Sequence, residues 1–266
     1  MNVRKMLMLS ASIFFFTSSA AAQTARVYVD MSRPERLVFV GEQARRIARE
    51  MSGSEYEFTP EFEIEIQKAV TRYAQRIGNN ADRQGKPELR QVLERGRALA
   101  PIINAAFEAR NVSPLYGLYL PWIESEYVNI ESAKPMGTVG VFQFLPATGA
   151  HLGLSEEDLL DVGKSADAAA RYVTQSLDTF KADPMKEALA LLAYNRGAQK
   201  TAQDLKAVLN DQNRRCSICA LTAHRSKLDD TFRSESVFYV PLFFAAAIIG
   251  ENPQVFGLQM QPLSSH

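Results

Sequence analysis

The chain has 266 residues, enough for one large domain or two small ones with a sizeable buried core. Hydrophobic residues make up 46% of it, so a folded protein is expected rather than a disordered one. Lysine plus arginine and aspartate plus glutamate both number 30, and this lack of a basic excess argues against nucleic acid as a partner.

The first 22 residues have the pattern of a cleaved signal peptide. Arg4 and Lys5 form a charged start, residues 6–16 form a short apolar run, and an alanine triplet at 20–22 offers a small-residue cleavage site. An apolar run this short cannot span a bilayer, which needs about 20 apolar residues. The sequence therefore predicts export to the periplasm of a mature chain that begins at Gln23.

Residues 23–110 are predicted to be a helical N-terminal region, here called the lead-in, whose role the sequence does not reveal. A first helix is expected over 34–50. A second begins at Thr59-Pro60, because threonine caps a helix well and proline suits its first turn. Residues 87–100 and 101–110 are predicted to be two further helices, separated at Pro101 because proline interrupts the backbone hydrogen bonds of a helix.

Residues 111–258 are predicted to form the main domain, also from helices, followed by a C-terminal tail at 259–266. One helix opens at Ser113-Pro114 and runs to Glu124. Residues 131–149 are rich in Gly, Pro, Ser and Thr and are predicted to be a loop with room for a small β-hairpin. Later helix starts are predicted at Ser155, Ser165 and Asp183.

Two segments near the C-terminus need an interpretation. Residues 237–249 are almost wholly apolar, but the run is short and contains Pro241, so a buried core helix is favoured over a transmembrane segment. Residues 211–230 are predicted to be polar and irregular, and they contain the only cysteines, Cys216 and Cys219. Cysteines three apart in an exported protein favour a local disulfide, with free thiols as the alternative.

Glu124 is the candidate catalytic residue. It lies in the sequence Pro-Trp-Ile-Glu-Ser at the end of an apolar helix. A carboxyl packed against Trp122 and Ile123 loses hydration, which raises its pKa, and a raised pKa suits a general acid near neutral pH, as in glycoside cleavage. The alternative is an ordinary surface glutamate at a helix end, which is the commoner situation.

Four short motifs occur in an order typical of one enzyme family. They are Glu124-Ser125 followed by Tyr127 and Asn129, Gly140-Val141-Phe142-Gln143-Phe144, Ala193-Tyr194-Asn195-Arg196-Gly197, and Glu235 to Tyr239. Each motif alone is weak, but four in order are specific. Through them, residues 115–258 resemble the catalytic domain of the soluble-type (SLT) lytic transglycosylases. The most similar branch is that of the membrane-bound lytic murein transglycosylase D proteins, here without LysM repeats.

The resemblance implies a lysozyme-like, mainly α fold with a substrate cleft, and it implies roles for single residues. Glu124 matches the catalytic acid/base, and Ser125 matches a residue that helps to place that acid or the substrate. The other matches lie in motifs that line the cleft or contact the sugar: Gln143, Tyr194, Asn195, Glu235 and Tyr239. For the last two, plain helix packing and a first-turn acid are the alternatives. Neither a metal nor a cofactor is implied.

The motifs depart from the family pattern in three ways. Phe142 stands where relatives often carry Trp or Met, which predicts a change in packing or in a sugar contact. Arg196 stands where Ala is usual, which predicts an altered charge at the rim of the cleft. The loop between Glu124 and Gly140 is one residue longer than in close relatives.

An ordinary glycosidase needs two carboxylates that flank the bond, and the sequence marks no second one. Glu126 is expected to point away from Glu124 along the helix, and nothing distinguishes Glu131 or Asp161. The sequence therefore predicts a lytic transglycosylase that cleaves peptidoglycan between N-acetylmuramic acid and N-acetylglucosamine and leaves 1,6-anhydromuramoyl ends. The alternatives are a hydrolytic lysozyme- or chitinase-like glycosidase and a non-catalytic glycan-binding scaffold of an envelope machine, whose protein partner the sequence does not identify.

Overall fold

A computed structural model describes residues 27–78, 85–131, 137–210 and 214–265. These residues form mainly α-helices, which confirms the predicted mainly α class. The helices are α1 Arg33–Ser52, α2 Pro60–Ala74, α3 Leu89–Glu108, α4 Pro114–Ser125, α5 Pro146–His151, α6 Glu156–Leu160, α7 Val162–Thr179, α8 Lys186–Arg196, α9 Ala198–Val208, α10 Ser217–Ala223 and α11 Val237–Glu251. The signal peptide and the cleavage site predicted before Gln23 lie outside the described residues.

The lead-in helices begin where their capping residues predict. Ser32 and Glu35 form a reciprocal pair of hydrogen bonds at the start of α1, and the Thr59 side chain accepts a hydrogen bond from the Phe62 amide at 3.4 Å to cap α2. α2 packs against α11, and one hydrophobic core extends from Tyr28 to residues of the C-terminal tail. The lead-in is therefore part of the same packed core as the rest of the chain.

α11 lies at the centre of that core, where it packs against α1, α2, α4 and α8. Nearly all of its residues are buried. Among the described residues, one helix, Phe232–Glu251, is long and apolar enough to cross a membrane by length and composition, but 72% of its apolar window is buried inside the protein. This burial supports the predicted core helix.

Three predicted helix boundaries are wrong, and one of them is the start of α8, which lies at Lys186 rather than at Asp183. α3 is unbroken, with Pro101 inside it, because Pro101 lies on the exposed face while the other face packs against α4 and α7. That packing outweighs the one backbone hydrogen bond that proline removes. α7 begins at Val162 rather than at Ser165, because the Asp161 side chain accepts a hydrogen bond from the Lys164 amide at 2.9 Å and caps the helix there.

The segment 211–230, predicted to be irregular, contains α10 instead. This short helix packs against α2 and α9, and both cysteines are buried. Cys216 and Cys219 are joined by a disulfide, with their Cα atoms 5.1 Å apart. The polar residues that suggested a loop flank this buried turn.

The glycine-containing segment after α4 has no strand in the part that the structure describes. Val139 and Phe144 form a single antiparallel bridge with backbone hydrogen bonds of 2.9 and 3.1 Å. The hairpin predicted there is thus reduced to one residue pair around a tight turn. The turn, residues 140–143, contains most of the second sequence motif, and it leads into α5.

Candidate active site

Glu124 lies in the last turn of α4, where it lines a cleft of about 550 Å³ together with Trp122 and Ile123. Its side chain is half-buried. Burial raises the pKa of Glu124 from 4.5 to about 7, because desolvation disfavours the charged form. The Tyr239 hydroxyl donates a hydrogen bond to Glu124 Oε1 at 2.5 Å, which acts in the opposite direction. A carboxyl with this pKa can both give and take a proton near neutral pH.

Two tyrosines lie close to Glu124. Tyr239 on α11 bonds to it directly, although it lies 115 residues further along the chain. Tyr194 at the end of α8 donates its hydroxyl to the Phe142 carbonyl oxygen at 3.0 Å. Burial, and then the negative charge of Glu124, raise the pKa of both tyrosines well above the ordinary value, so both hydroxyls stay protonated. The structure therefore brings three residues of three different motifs to one place.

The chain turns sharply out of α4 directly after Ser125. Glu126 and Tyr127 both have left-handed backbone conformations, with φ of 52° and 61°, which end the helix. The Tyr127 ring packs against α3 at Gly96, where an added Cβ would lie 2.7 Å from the ring. Its hydroxyl donates to the carbonyl oxygen of Leu118. Buried Tyr127 thus fixes the turn that leaves Glu124 at the helix end.

Ser125 connects α4 to the tight turn that follows. It is buried, and its hydroxyl donates to the Val141 carbonyl oxygen at 2.7 Å while lying 3.2 Å from the Pro121 carbonyl oxygen. These contacts hold the second motif against the end of α4. Ser125 therefore bonds to the backbone around Glu124 rather than to the Glu124 carboxyl itself.

Gln143 stabilises the turn in which it lies. Its Oε1 accepts a hydrogen bond from Thr138 Oγ1 at 2.5 Å, and its Nε2 donates to the Gly140 carbonyl oxygen at 2.6 Å. Gly140 has φ of 78°, and a Cβ there would lie 2.1 Å from the Leu159 carbonyl oxygen, so only glycine fits. Both ends of the Gln143 amide are engaged within this turn, which makes it a shaping residue of the loop.

The remaining predicted residues, Asn195 and Glu235, are both exposed. Asn195 Oδ1 accepts a hydrogen bond from Ser236 Oγ at 2.8 Å, and Ser236 ends a π-helical turn, Phe232–Ser236, that leads directly into α11. The Glu235 carboxylate makes no hydrogen bond or ion pair within the described part of the chain, and it is not among the residues that line the cleft. Ser236 was missed, although it lies inside the fourth motif.

The predicted altered charge at the cleft rim is wrong, because Arg196 is neutralised. Its side chain is only 4% exposed and forms ion pairs with Asp204 and, at 2.8 Å, with Asp229. The guanidinium also lies 5.2 Å from the centre of the Phe232 ring, and Asp229 Oδ1 accepts from the Phe232 amide at 2.9 Å. Arg196 thus links the end of α8 to the turn that precedes α11.

The lead-in supplies one wall of the cleft, through Arg72, Tyr73 and Arg76. Arg76 donates to both carboxylate oxygens of Glu126, at 2.8 and 2.9 Å. Glu126 was expected on a continuing helix, but it follows the helix end in a left-handed conformation and lines the same cleft as Glu124. Its charge is nevertheless compensated by Arg76. Sequence reasoning missed these lead-in residues, since no motif marks them.

The family comparison relates part of this chain to a known domain. Residues 101–215 match the family model of the Transglycosylase SLT domain. This stretch of the chain is therefore similar to an SLT domain. Its lysozyme-like fold agrees with the helical architecture described above. The SLT match takes in the first three motifs and ends before the fourth, so Tyr239 and the α2 wall lie outside it. Comparison with curated proteins gives no significant match.

Proposed function

We propose that this protein is a peptidoglycan lytic transglycosylase in which Glu124 is the only catalytic acid/base. The SLT domain indicates lytic transglycosylase activity on peptidoglycan in general. The assignment of Glu124 as the only acid/base rests on the acidic residues in the cleft. Of the described residues that line the cleft, only Glu124 and Glu126 are acidic, and Glu126 is paired with Arg76. A single protonated acid fits a reaction in which the substrate supplies its own nucleophile.

In this mechanism Glu124 transfers one proton out and one proton back. It first protonates the oxygen between C1 of N-acetylmuramic acid and C4 of N-acetylglucosamine, and the C1–O bond breaks. The Glu124 carboxylate, stabilised by the Tyr239 hydroxyl, then accepts the proton of the muramoyl C6 hydroxyl while that oxygen bonds to C1. The product is a 1,6-anhydromuramoyl end, no water is consumed, and Glu124 is protonated again.

The other motif residues support this acid in two ways. Ser125 and Gln143 are positioning residues, because their hydrogen bonds hold the backbone of the tight turn. Tyr194 anchors the same turn from α8. Asn195 and Glu235 are exposed, and for both of them a contact with sugar rests on the family resemblance.

Export to the periplasm and membership of the murein transglycosylase D branch belong to the same proposal. The branch rests on the four motifs, and export rests on the charged start, apolar run and alanine triplet of the first 22 residues. N-terminal sequencing of the protein from an envelope fraction should begin at Gln23. An exported form that retains Met1 would contradict it.

The decisive experiment combines a product analysis with one substitution. Purified mature protein is incubated with cell-wall sacculi, and the soluble products are weighed by mass spectrometry. We expect ends that are one water lighter than those of a hydrolase. Glu124→Gln keeps the size of the side chain but has no acidic proton, so turnover should fall by about 10²–10⁴-fold with the fold intact. Glu131→Gln, at an exposed carboxyl, is the matched control and should retain activity.

Each alternative has its own outcome in this experiment. Products with ordinary reducing ends would identify a hydrolase. If Glu126→Gln then failed to release those products, Glu126 would be the second catalytic carboxylate. A folded wild-type protein that binds sacculi without releasing any product would be a scaffold. Full activity of Glu124→Gln would refute the assignment of the site.

A further inference from the structure

A second cavity, of about 730 Å³, adjoins the catalytic cleft along α2. Arg72 lines both cavities, and its neighbour Tyr73 packs its ring against Trp122 with the centroids 5.6 Å apart. Phe238, directly before Tyr239, lines the second cavity, and Leu242, one turn further along α11, lines the cleft. The second cavity therefore lies beside the catalytic end of α4.

Cations dominate the lining of this second cavity, here called the basic groove. Its charged residues are Arg33, Arg36, Lys68, Arg72, Arg225 and Glu65. Glu65 is the only acid among them, and it is shared by Lys68 at 3.1 Å and Arg225 at 3.8 Å. One carboxylate thus pairs with two of the five positively charged side chains.

The other three arginines have no carboxylate partner among the described residues. Arg36 donates to the backbone carbonyl oxygens of Tyr28 and Val29, and its guanidinium lies 5.1 Å from the centre of the Tyr28 ring, but no carboxylate pairs with it in the described part of the chain. The side chains of Arg33 and Arg72 are exposed, and the structure gives them no hydrogen bond or ion pair within its described ranges. Exposed arginines gathered in a concave surface present a fork of N–H donors that matches a carboxylate.

We propose that the basic groove binds carboxylates of the peptide that is attached to muramic acid, while the glycan lies in the cleft at Glu124. The inference rests on the proposed function. The sugars at the scissile bond supply few charges, whereas the attached peptides carry several carboxylates and leave the glycan at the muramic acid unit. A groove that shares Arg72 with the catalytic cleft lies where such a peptide would leave the bound sugar.

Other polyanions fit the observations less well. The whole chain has no net positive charge, which disfavours a nucleic-acid backbone. The cations line a cavity that also includes Phe238 and Glu65, rather than a flat face, which disfavours a membrane surface. A short, branched, anionic peptide held beside the cleft uses both the shape and the charge.

The test measures how much the peptide adds to glycan binding. Glu124→Gln protein is titrated with two soluble muramic-acid-containing glycan fragments of equal length, one with its peptides and one with the peptides removed. The ratio of the two dissociation constants is the peptide increment. The increment is measured for the Glu124→Gln protein, called the parent, and for two variants of it. The groove variant adds Arg33→Gln/Arg225→Gln, and the control variant adds Arg90→Gln/Lys206→Gln. The control removes the same charge from exposed positions that line neither cavity.

We expect the peptide increment to fall about three- to tenfold in the groove variant, to stay unchanged in the control, and to shrink as salt is added. Circular dichroism and equal melting temperatures establish that each variant is folded. The inference would be overturned if the groove variant showed the same peptide increment as the parent. It would also be overturned if the parent bound both fragments equally well. Either result would leave the proposed function standing.

The remaining outcomes are equally distinct. If neither fragment binds the parent, the proposed function fails together with the inference. If the groove substitutions abolish binding to vesicles of anionic lipid but leave the peptide increment intact, the groove serves a membrane surface instead, and the inference is wrong.

Discussion

Replacing Glu124 with glutamine should stabilise the protein at pH 8 but hardly at pH 4. The reason is the desolvated position of this carboxyl in the last turn of α4. The folded protein holds the Glu124 proton more tightly than the unfolded chain does. Folding at alkaline pH therefore requires a charged carboxylate to leave water, whereas glutamine remains neutral at every pH.

The size of the effect follows from the two pKa values. The pKa of Glu124 is about 7 in the folded protein and 4.5 for the unperturbed group. Below pH 4.5 the group is protonated in both states and costs nothing. Between pH 4.5 and 7 stability is lost as the pH rises, and above pH 7 the loss is complete. A rise of about 2.5 in pKa corresponds to about 3 kcal/mol of unfolding free energy.

The assay is urea denaturation of wild type and Glu124→Gln at pH 4 and pH 8, with the disulfide intact. Every other titrating group is common to both proteins. The change in unfolding free energy that the substitution causes is measured at each pH, and the difference between these two changes reports on Glu124 alone. The substitution should raise the unfolding free energy at pH 8 by about 3 kcal/mol more than it does at pH 4. Glu131→Gln removes an exposed carboxyl and should show no such pH-dependent gain.

A Glu124→Gln variant whose stability relative to wild type is the same at both pH values would refute this reasoning. It would mean that the Glu124 carboxyl is as well hydrated in the folded protein as in the unfolded chain. The general-acid role would then lose its physical basis, because an ordinary carboxyl is ionised at neutral pH.

Two further substitutions test the surroundings of this acid. Tyr239→Phe removes the hydrogen bond that favours the carboxylate, so the pKa of Glu124 should rise and the alkaline limb of kcat/KM should move up by about one pH unit. An unmoved limb would contradict this. Arg196→Ala leaves Asp204 buried with only Lys200 beside it, so the unfolding free energy in urea should fall by about 3 kcal/mol. A loss below about 1 kcal/mol would show that Lys200 compensates.

Local chemistry in the sequence predicts much of the helical framework. Thr59 and Ser155 cap helices where their side chains suggest, because a cap depends on residues within one turn. Pro101 shows where that reasoning stops. A proline in isolation ends a helix, but here packing of α3 against α4 and α7 keeps the helix intact. Packing partners distant in the chain cannot be read from a local pattern.

The same distinction separates the predicted from the unpredicted site residues. Motifs located Glu124 and Tyr239, and the structure brings them within hydrogen-bonding distance. Arg76 carries no motif, and its pairing with Glu126 spans 50 residues. The helix was assumed to continue through Glu126, whereas two successive left-handed residues end it there.

The cleft at Glu124 exists only when three separate stretches of the chain have come together. α2 precedes the matched residues 101–215, α4 lies inside them, and α11 follows them. A fragment of residues 101–215 would lack α2, which forms one wall of the cleft. It would also lack Tyr239, whose hydroxyl donates to Glu124, and it would expose the apolar faces of α4 and α8 that α11 covers. Protease resistance, cooperative melting and turnover should therefore disappear together on truncation, so that catalysis reports on the integrity of the whole chain.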